Sequence, residues 1–132
     1  MIGGVEPVNS GRGSLRLSGR TLGVGPMKVA QSWDDGVVDD VRLTDLLRRY
    51  GAMATFNLNP GLHQSHRSFG WKYGDKEVWR LGRDELVSVY AGFEIANHSL
   101  THPNLPDLPP VDLGREVGES RRLLQDWFRQ PV

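Results

Sequence analysis

The stretch QSWDDGVVDD, Gln31–Asp40, decides how the chain is read. An apolar run, MKVAQSW from Met27 to Trp33, leads straight into two adjacent aspartates and a glycine, and two more aspartates follow. Like charges side by side repel, so Asp34 and Asp35 need a metal, hydrogen bonds or a shifted pKa to sit together. The plainer alternative is a polar turn after a strand, with Asp39 or Asp40 capping the next helix. What the rest of the chain brings to the same place decides between them.

Working outward, VRLTDLLRRYG predicts a helix. Leu43, Leu46, Leu47 and Tyr50 follow the i, i+3, i+4, i+7 pattern, Arg48 and Arg49 sit in the last turn, and Gly51 supplies the stop. AMATFNL, Ala52–Leu58, is apolar on both faces, as a parallel strand covered on both sides should be. NPGLHQSHRSFGWKYGDK reads as a long loop rich in Gly and aromatic residues. RDELVSVYAG predicts a second helix ended by Gly92, and FEIAN, Phe93–Asn97, a third short strand leading into HSLTHPNL. A last helix follows the Pro-rich PDLPP, with Leu113, Val117, Leu124 and Phe128 on one face and Pro131 as its stop. MKVAQSW is the first, buried strand of the series.

Residues 1–26 read as a flexible lead-in, with a small hairpin in SLRLSGRTLGV turning at Ser18-Gly19. Residues 27–132 form one α/β unit in which strands alternate with helices. Such alternation implies a parallel sheet with right-handed crossovers, whose ligand sites gather at the carboxyl ends of the strands. Asp34 and Asp35 follow the first strand and His98 follows the third, so both open onto one end of the sheet.

Composition narrows the chemistry. Sixteen basic and sixteen acidic residues cancel, which removes any global field favouring a nucleic acid or a membrane surface. The absence of cysteine excludes disulfides and thiolate metal sites, so a metal would fall to carboxylates and the four histidines, His63, His66, His98 and His102. No apolar run approaches a membrane span and the N-terminus lacks a leader pattern, so the chain as written is expected in the cytoplasm.

His98 and His102 lie four residues apart, but Pro103 argues against a helix there, so a tight loop aiming two imidazoles at one ion is expected. Zinc accepts imidazole nitrogen and carboxylate oxygen, and catalytic sites commonly use three protein ligands plus water. An isolated H-x-x-x-H is common in surface loops; a DDG at the same sheet end strengthens both signals. Ser99 or Thr101 would orient a histidine or cap the loop, and Asn97 would satisfy backbone at the strand end. Trp33 is expected in the core, and His63 and His66 in solvent. Trp71, Tyr73 and Trp79 offer either an exposed aromatic platform or ordinary packing.

These motifs carry a resemblance. SWDDG resembles the T-F-D-D-G motif of the polysaccharide deacetylases, the NodB-homology family of carbohydrate esterases, and HSLTHP resembles that family's second motif, H-[ST]-x-x-H. GAMATFNLNPGL is similar to the family's intervening "ATFF" strand, and AGFEIANHSLTHPNL to G-H-E-I-G-N-H-[ST]-x-T-H-P-x-L, with Phe93 where the family often has histidine. The likeness runs from Met27 to Leu105. It implies the N-terminal part of a distorted (β/α) barrel, and removal of acetyl groups from N-acetylated or O-acetylated carbohydrate. Residue by residue, it implies Asp34 as catalytic base and Asp35, His98 and His102 as ligands of a divalent metal, zinc or alternatively cobalt. Trp71 and Tyr73 are the weaker substrate-contact candidates, and relatives are often secreted or envelope-associated.

The family's later Arg-containing motif, Asp/Trp motif and Leu-x-His general acid have no counterpart here, and the chain ends at QPV where the next strand would begin. Weak or absent turnover by the chain alone is therefore expected, with the open sheet edge covered by a second copy or another chain. Two other readings stand beside this one. A magnesium-dependent phospho-receiver or phosphatase-like domain would use the Asp pair but leave HSLTHP without a task. A non-catalytic carbohydrate-binding module would keep the fold without turnover.

Overall fold

The two aspartates are placed by three short parallel strands. The structure, a computed structural model, describes residues 27–132 and the backbone of two strands before them, β1 (Arg16–Leu17) and β2 (Arg20–Thr21). β1 and β2 pair antiparallel, as the expected hairpin requires. Its turn at Ser18-Gly19 and the rest of the expected lead-in, residues 1–15 and 22–26, lie outside the described residues.

The central sheet has the order β3-β4-β7, from β3 (Ser32–Asp34), β4 (Thr55–Leu58) and β7 (Glu94–Asn97). Both pairings are parallel, with Trp33 beside Phe56 and Phe56 beside Ile95. Helices α1 (Asp40–Arg49) and α2 (Arg83–Val89) make the crossovers, and α3 (Pro110–Phe128) follows β7. Phe56, Leu58 and Ile95 project from one sheet face into a core shared with Leu47 of α1, Leu86 of α2, Tyr90, Phe93 and Leu124 of α3. All three helices thus cover the same face, as in a (β/α) barrel rather than a doubly wound sheet. Arg48, in the last turn of α1, donates to the Val89 and Ala91 carbonyls at 2.7 and 3.0 Å and caps the end of α2.

The opposite face is polar, which corrects the expectation of a strand covered on both sides. Thr55 donates to Glu94, and Asn57 donates to Ser32 Oγ at 2.6 Å. The first strand is also shorter than MKVAQSW, and all three of its residues are exposed. Trp33, at 41% exposure, is not a core residue. The reason is position: among the described residues β3 is an edge strand that pairs with β4 alone.

Two further differences bear on the site. The expected long loop contains an antiparallel hairpin, β5 (Ser68–Tyr73) and β6 (Lys76–Arg80), turning through Gly74 at φ 60°. It is tied to the chain after β3, since Val38 N–H donates to Trp79 O at 2.8 Å and Leu81 N–H to Gly36 O at 2.9 Å. The helices also turn polar residues inward. Asp40, Thr44 and Leu47 are the buried positions of α1, and Glu116, Ser120 and Leu124 those of α3, while Tyr50 and Val117 face outward. Asp40 is buried because it accepts from Tyr90 OH at 2.6 Å and from Val37 N–H at 3.2 Å. No helix among the described residues is long and apolar enough to cross a membrane.

Candidate metal centre

Asp34 and Asp35 avoid each other through the backbone. Asp34 ends β3 with its side chain on the polar sheet face, where Asn57 Nδ2–H donates to Oδ1 at 2.6 Å. Asp35 takes a left-handed conformation, φ 76°, and Gly36 continues it at φ 66°. Asp and Gly tolerate this region better than most residues, and here it swings the second carboxylate away from the first. Asp35 N–H donates to Asn57 O at 3.0 Å, so one residue of β4 grips both aspartates. Arg80, from β6, donates to the Asp35 carbonyl at 2.9 Å while its guanidinium lies 5.0 Å from the centre of the Trp71 ring. Burial lowers the Arg80 pKa and the Asp35 charge works against that; it remains a cation.

The two histidines come from the loop after β7. His98 N–H continues the ladder to Leu58 O at 3.1 Å, after which Ser99 (φ 67°) and His102 (φ 59°) turn the chain back on itself. Ser99 Oγ accepts from His102 N–H at 3.1 Å, and Asn97 Oδ1 from Ser99 N–H at 3.0 Å. Ser99 and Asn97 thus cap the loop. Asn59 donates to the His98 and Ser99 carbonyls. Gly61 N–H meets Leu100 O at 2.9 Å, an approach so close that a Cβ on Gly61 would lie 2.7 Å from that oxygen. Below the loop, Glu116 of α3 accepts from Leu100 N–H, Thr101 N–H and Thr101 Oγ1–H at 2.8–2.9 Å. Burial works to raise the Glu116 carboxyl, but these hydrogen bonds outweigh it and hold the group below its ordinary value.

The sequence-predicted ligands converge. Asp35 Oδ1 lies 3.9 Å from His98 Nε2 and 3.9 Å from His102 Nε2, and one ligand atom from each residue falls within 4.8 Å of the others. Asp35 Oδ1 is buried without a hydrogen-bond partner, and the Arg80 guanidinium, 4.0 Å away, is too far to supply one, so the oxygen is left for a cation to complete. Ligands on one zinc-sized ion sit roughly 3–3.5 Å apart. The set is thus about half an ångström to somewhat over one ångström more open than a loaded site, and two imidazoles with one carboxylate are the donors such an ion takes. The residues fit the metal. Asp34 stands beside this group without joining it, its carboxylate committed to Asn57.

Trp71 and Tyr73 lie on the hairpin, Trp71 against Arg80 and Tyr73 78% exposed, while Trp79 packs edge-on against Phe69. His66 is exposed as expected, but His63 is buried. Its Nδ1 bonds Leu81 O at 2.8 Å, and its Nε2 is enclosed without a partner. Burial lowers the His63 pKa, against the backbone hydrogen bond that works to raise it. A base whose folded pKa is depressed leaves the unfolded chain to take up the proton first, so stability falls as the pH drops below about 6.5. Between about pH 7 and pH 5, the melting temperature of a metal-free His63→Gln chain is expected to fall less than that of the parent.

Asn57, Arg80 and Glu116 were not singled out by sequence reasoning. A polar residue in an otherwise apolar strand was the one available signal for Asn57; the other two read as ordinary surface charges.

Comparison with known proteins bears on the fold and on the family. The polysaccharide deacetylase family, as a sequence profile, matches residues 23–132. The fold is similar to that of a Streptococcus pyogenes deacetylase, PplD, solved in complex with acetate. The TM-score is 0.61 with 22% identity, over 78% of this chain and 42% of that one. It is also similar to the peptidoglycan deacetylase PdaC from Bacillus subtilis, with a TM-score of 0.53 and 17% identity, over 77% of this chain and 44% of that one. Among curated sequences, ent-copalyl diphosphate synthase 2 of Oryza sativa subsp. indica is 33% identical over 100 residues, 74% of this chain. The chain thus spans under half the length of the solved deacetylases and 11% of the rice synthase.

Proposed function

The chain belongs to the polysaccharide deacetylase family, and from that premise we propose that it carries the metal-binding portion of a hydrolase removing acetyl groups from N-acetylated or O-acetylated carbohydrate. The observation that carries this reading is the orphaned Asp35 Oδ1, 3.9 Å from each of two imidazole nitrogens. Asp35, His98 and His102 would hold a divalent ion, zinc or alternatively cobalt. Such an ion, when bound, lowers the pKa of water and polarises an acyl carbonyl.

The chain's own groups supply the rest. Asp34, steered by Asn57 through Oδ1, offers Oδ2 to the proton of a water attacking the acetyl carbon. A shallow cavity of about 320 Å³ runs from His98 and His102 to Pro103, Leu105 and Val117. Its apolar wall suits an acetyl methyl, and its size lies at the low end of small-ligand sites. Trp71 and Tyr73 of the hairpin are the proposed sugar contacts, since an exposed aromatic face stacks on the C–H face of a pyranose.

The test is metal content by mass spectrometry after equilibration with zinc and dialysis, followed by acetate release from an N-acetylglucosamine oligomer. About one ion per chain is expected, with acetate release from the chain alone weak at most. A parent chain that emerges without metal overturns the assignment of the site.

A further inference from the structure

We infer that Glu116 is a positioning residue of the metal centre, setting the separation of His98 and His102 from beneath. The inference rests on the metal-site reading above and extends it to a residue that touches neither an ion nor a histidine.

The geometry has three parts. The His98–His102 loop makes two left-handed residues in five, Ser99 and His102, conformations that cost about 1 kcal/mol or more each and persist only when neighbours enforce them. One carboxylate takes the two successive amides between them, Leu100 N–H and Thr101 N–H, with Oε2 at 2.9 and 2.8 Å. Its other oxygen, Oε1, takes the Thr101 hydroxyl at 2.8 Å. The residue is 4% exposed on a helix face otherwise turned to the core. A buried carboxylate reaching three donors within one loop shapes that loop, because leaving those donors unpaired is costly.

The neighbouring tie acts in the same sense. Asn97 Nδ2–H donates to Val117 O at 2.8 Å, so adjacent residues of α3 hold the start and the middle of the loop. Helix α3 is thereby the support on which both imidazoles stand. The Glu116 charge also favours a cation at the ligands. Both effects have one sign, and removing the carboxylate weakens metal binding.

The experiment is a zinc titration by calorimetry of the parent, Glu116→Ala and Glu116→Gln chains, with the visible spectrum of the cobalt-loaded forms beside it. Loss of about 10- to 100-fold in zinc affinity is expected for Glu116→Ala, the range for residues supporting metal ligands. Glu116→Gln, which keeps an acceptor for the amides, should lose less. The cobalt bands of Glu116→Ala should shift, which a loss of stability alone would not produce. A folded Glu116→Ala chain that binds zinc within about twofold of the parent, with unchanged cobalt bands, overturns the inference. Should Glu116→Ala not fold, Thr101→Val removes one of the three hydrogen bonds and is expected to lose affinity severalfold; parental affinity there overturns the inference equally. A parent that binds no zinc defeats the metal-site reading itself, so the two failures are distinguishable.

Discussion

An Asp35→Ala chain is expected to emerge from zinc equilibration without metal, and an Asp34→Asn chain to emerge loaded but inactive. The split follows from the turn between them. Asp35 is carried by its positive φ towards the two imidazoles, and its Oδ1 accepts no hydrogen bond, with the Arg80 guanidinium 4.0 Å away. Apparent binding energies of structural zinc sites are about 10–16 kcal/mol over four ligands, so one ligand is worth roughly 3–4 kcal/mol, or about 10²- to 10³-fold in affinity. His98→Ala should lose a similar amount. Asp34 faces Asn57 instead, and an amide there still accepts that hydrogen bond. Asp34→Asn therefore keeps the geometry and removes only the proton acceptor, which should lower acetate release by about 10²- to 10⁴-fold. Mass spectrometry and an acetate assay on the same preparations check both halves. Metal lost from the Asp34 variant and kept by the Asp35 variant would reverse the two roles.

How much of this was legible in the sequence depended on what a periodicity can register. Gly51 and Gly92 punctuate helices and strands of the expected kind, and three strands and three helices fall in the expected order. Both motifs land at the carboxyl end of one parallel sheet, as alternation alone required. The hairpin was missed although Phe69, Trp71 and Tyr73 alternate and Gly74-Asp75 turn them, because Gly70 and Gly74 inside a Gly-rich stretch read as loop; Gly70 marks a bulge in the pairing. The inward faces of α1 and α3 were misread for a different reason. An apolar stripe shows where oily residues recur, and it is blind to Asp40 or Glu116, buried by specific hydrogen bonds. His63 illustrates the same limit: set in HQSH it looks solvated, and groups distant in sequence, the Leu81 carbonyl and Gly36 among them, enclose it. The candidate ligands were thus legible in the two motifs and their resemblance, whereas the groups that hold them in place came from three other elements, β4, β6 and α3.

Gly36→Ala is the substitution expected to do most damage to the fold. Gly36 is buried with φ 66°, where an L side chain costs about 1–2 kcal/mol before any contact is considered. A Cβ there would lie 2.6 Å from His63 Cε1, 2.8 Å from His63 Nε2 and 3.1 Å from Leu58 Cδ2. Neither neighbour has somewhere to go. Leu58 is fully buried, and the His63 ring is pinned through Nδ1 to Leu81 O at 2.8 Å. Overpacking of this kind adds about 1–3 kcal/mol. Together the two effects are expected to lower the melting temperature by about 10–20 °C in a domain of this size. Gly36 also follows Asp35 directly, so whatever backbone shift relieves the clash carries the proposed metal ligand with it, and zinc affinity should fall alongside stability. The two contributions separate in a double-mutant cycle with His63→Ala. With the ring removed, adding Gly36→Ala should cost only the backbone strain of about 1–2 kcal/mol, leaving a coupling of about 1–3 kcal/mol attributable to the ring. A coupling near zero would mean that the His63 ring yields freely, and that Gly36 is required for its dihedral angles alone.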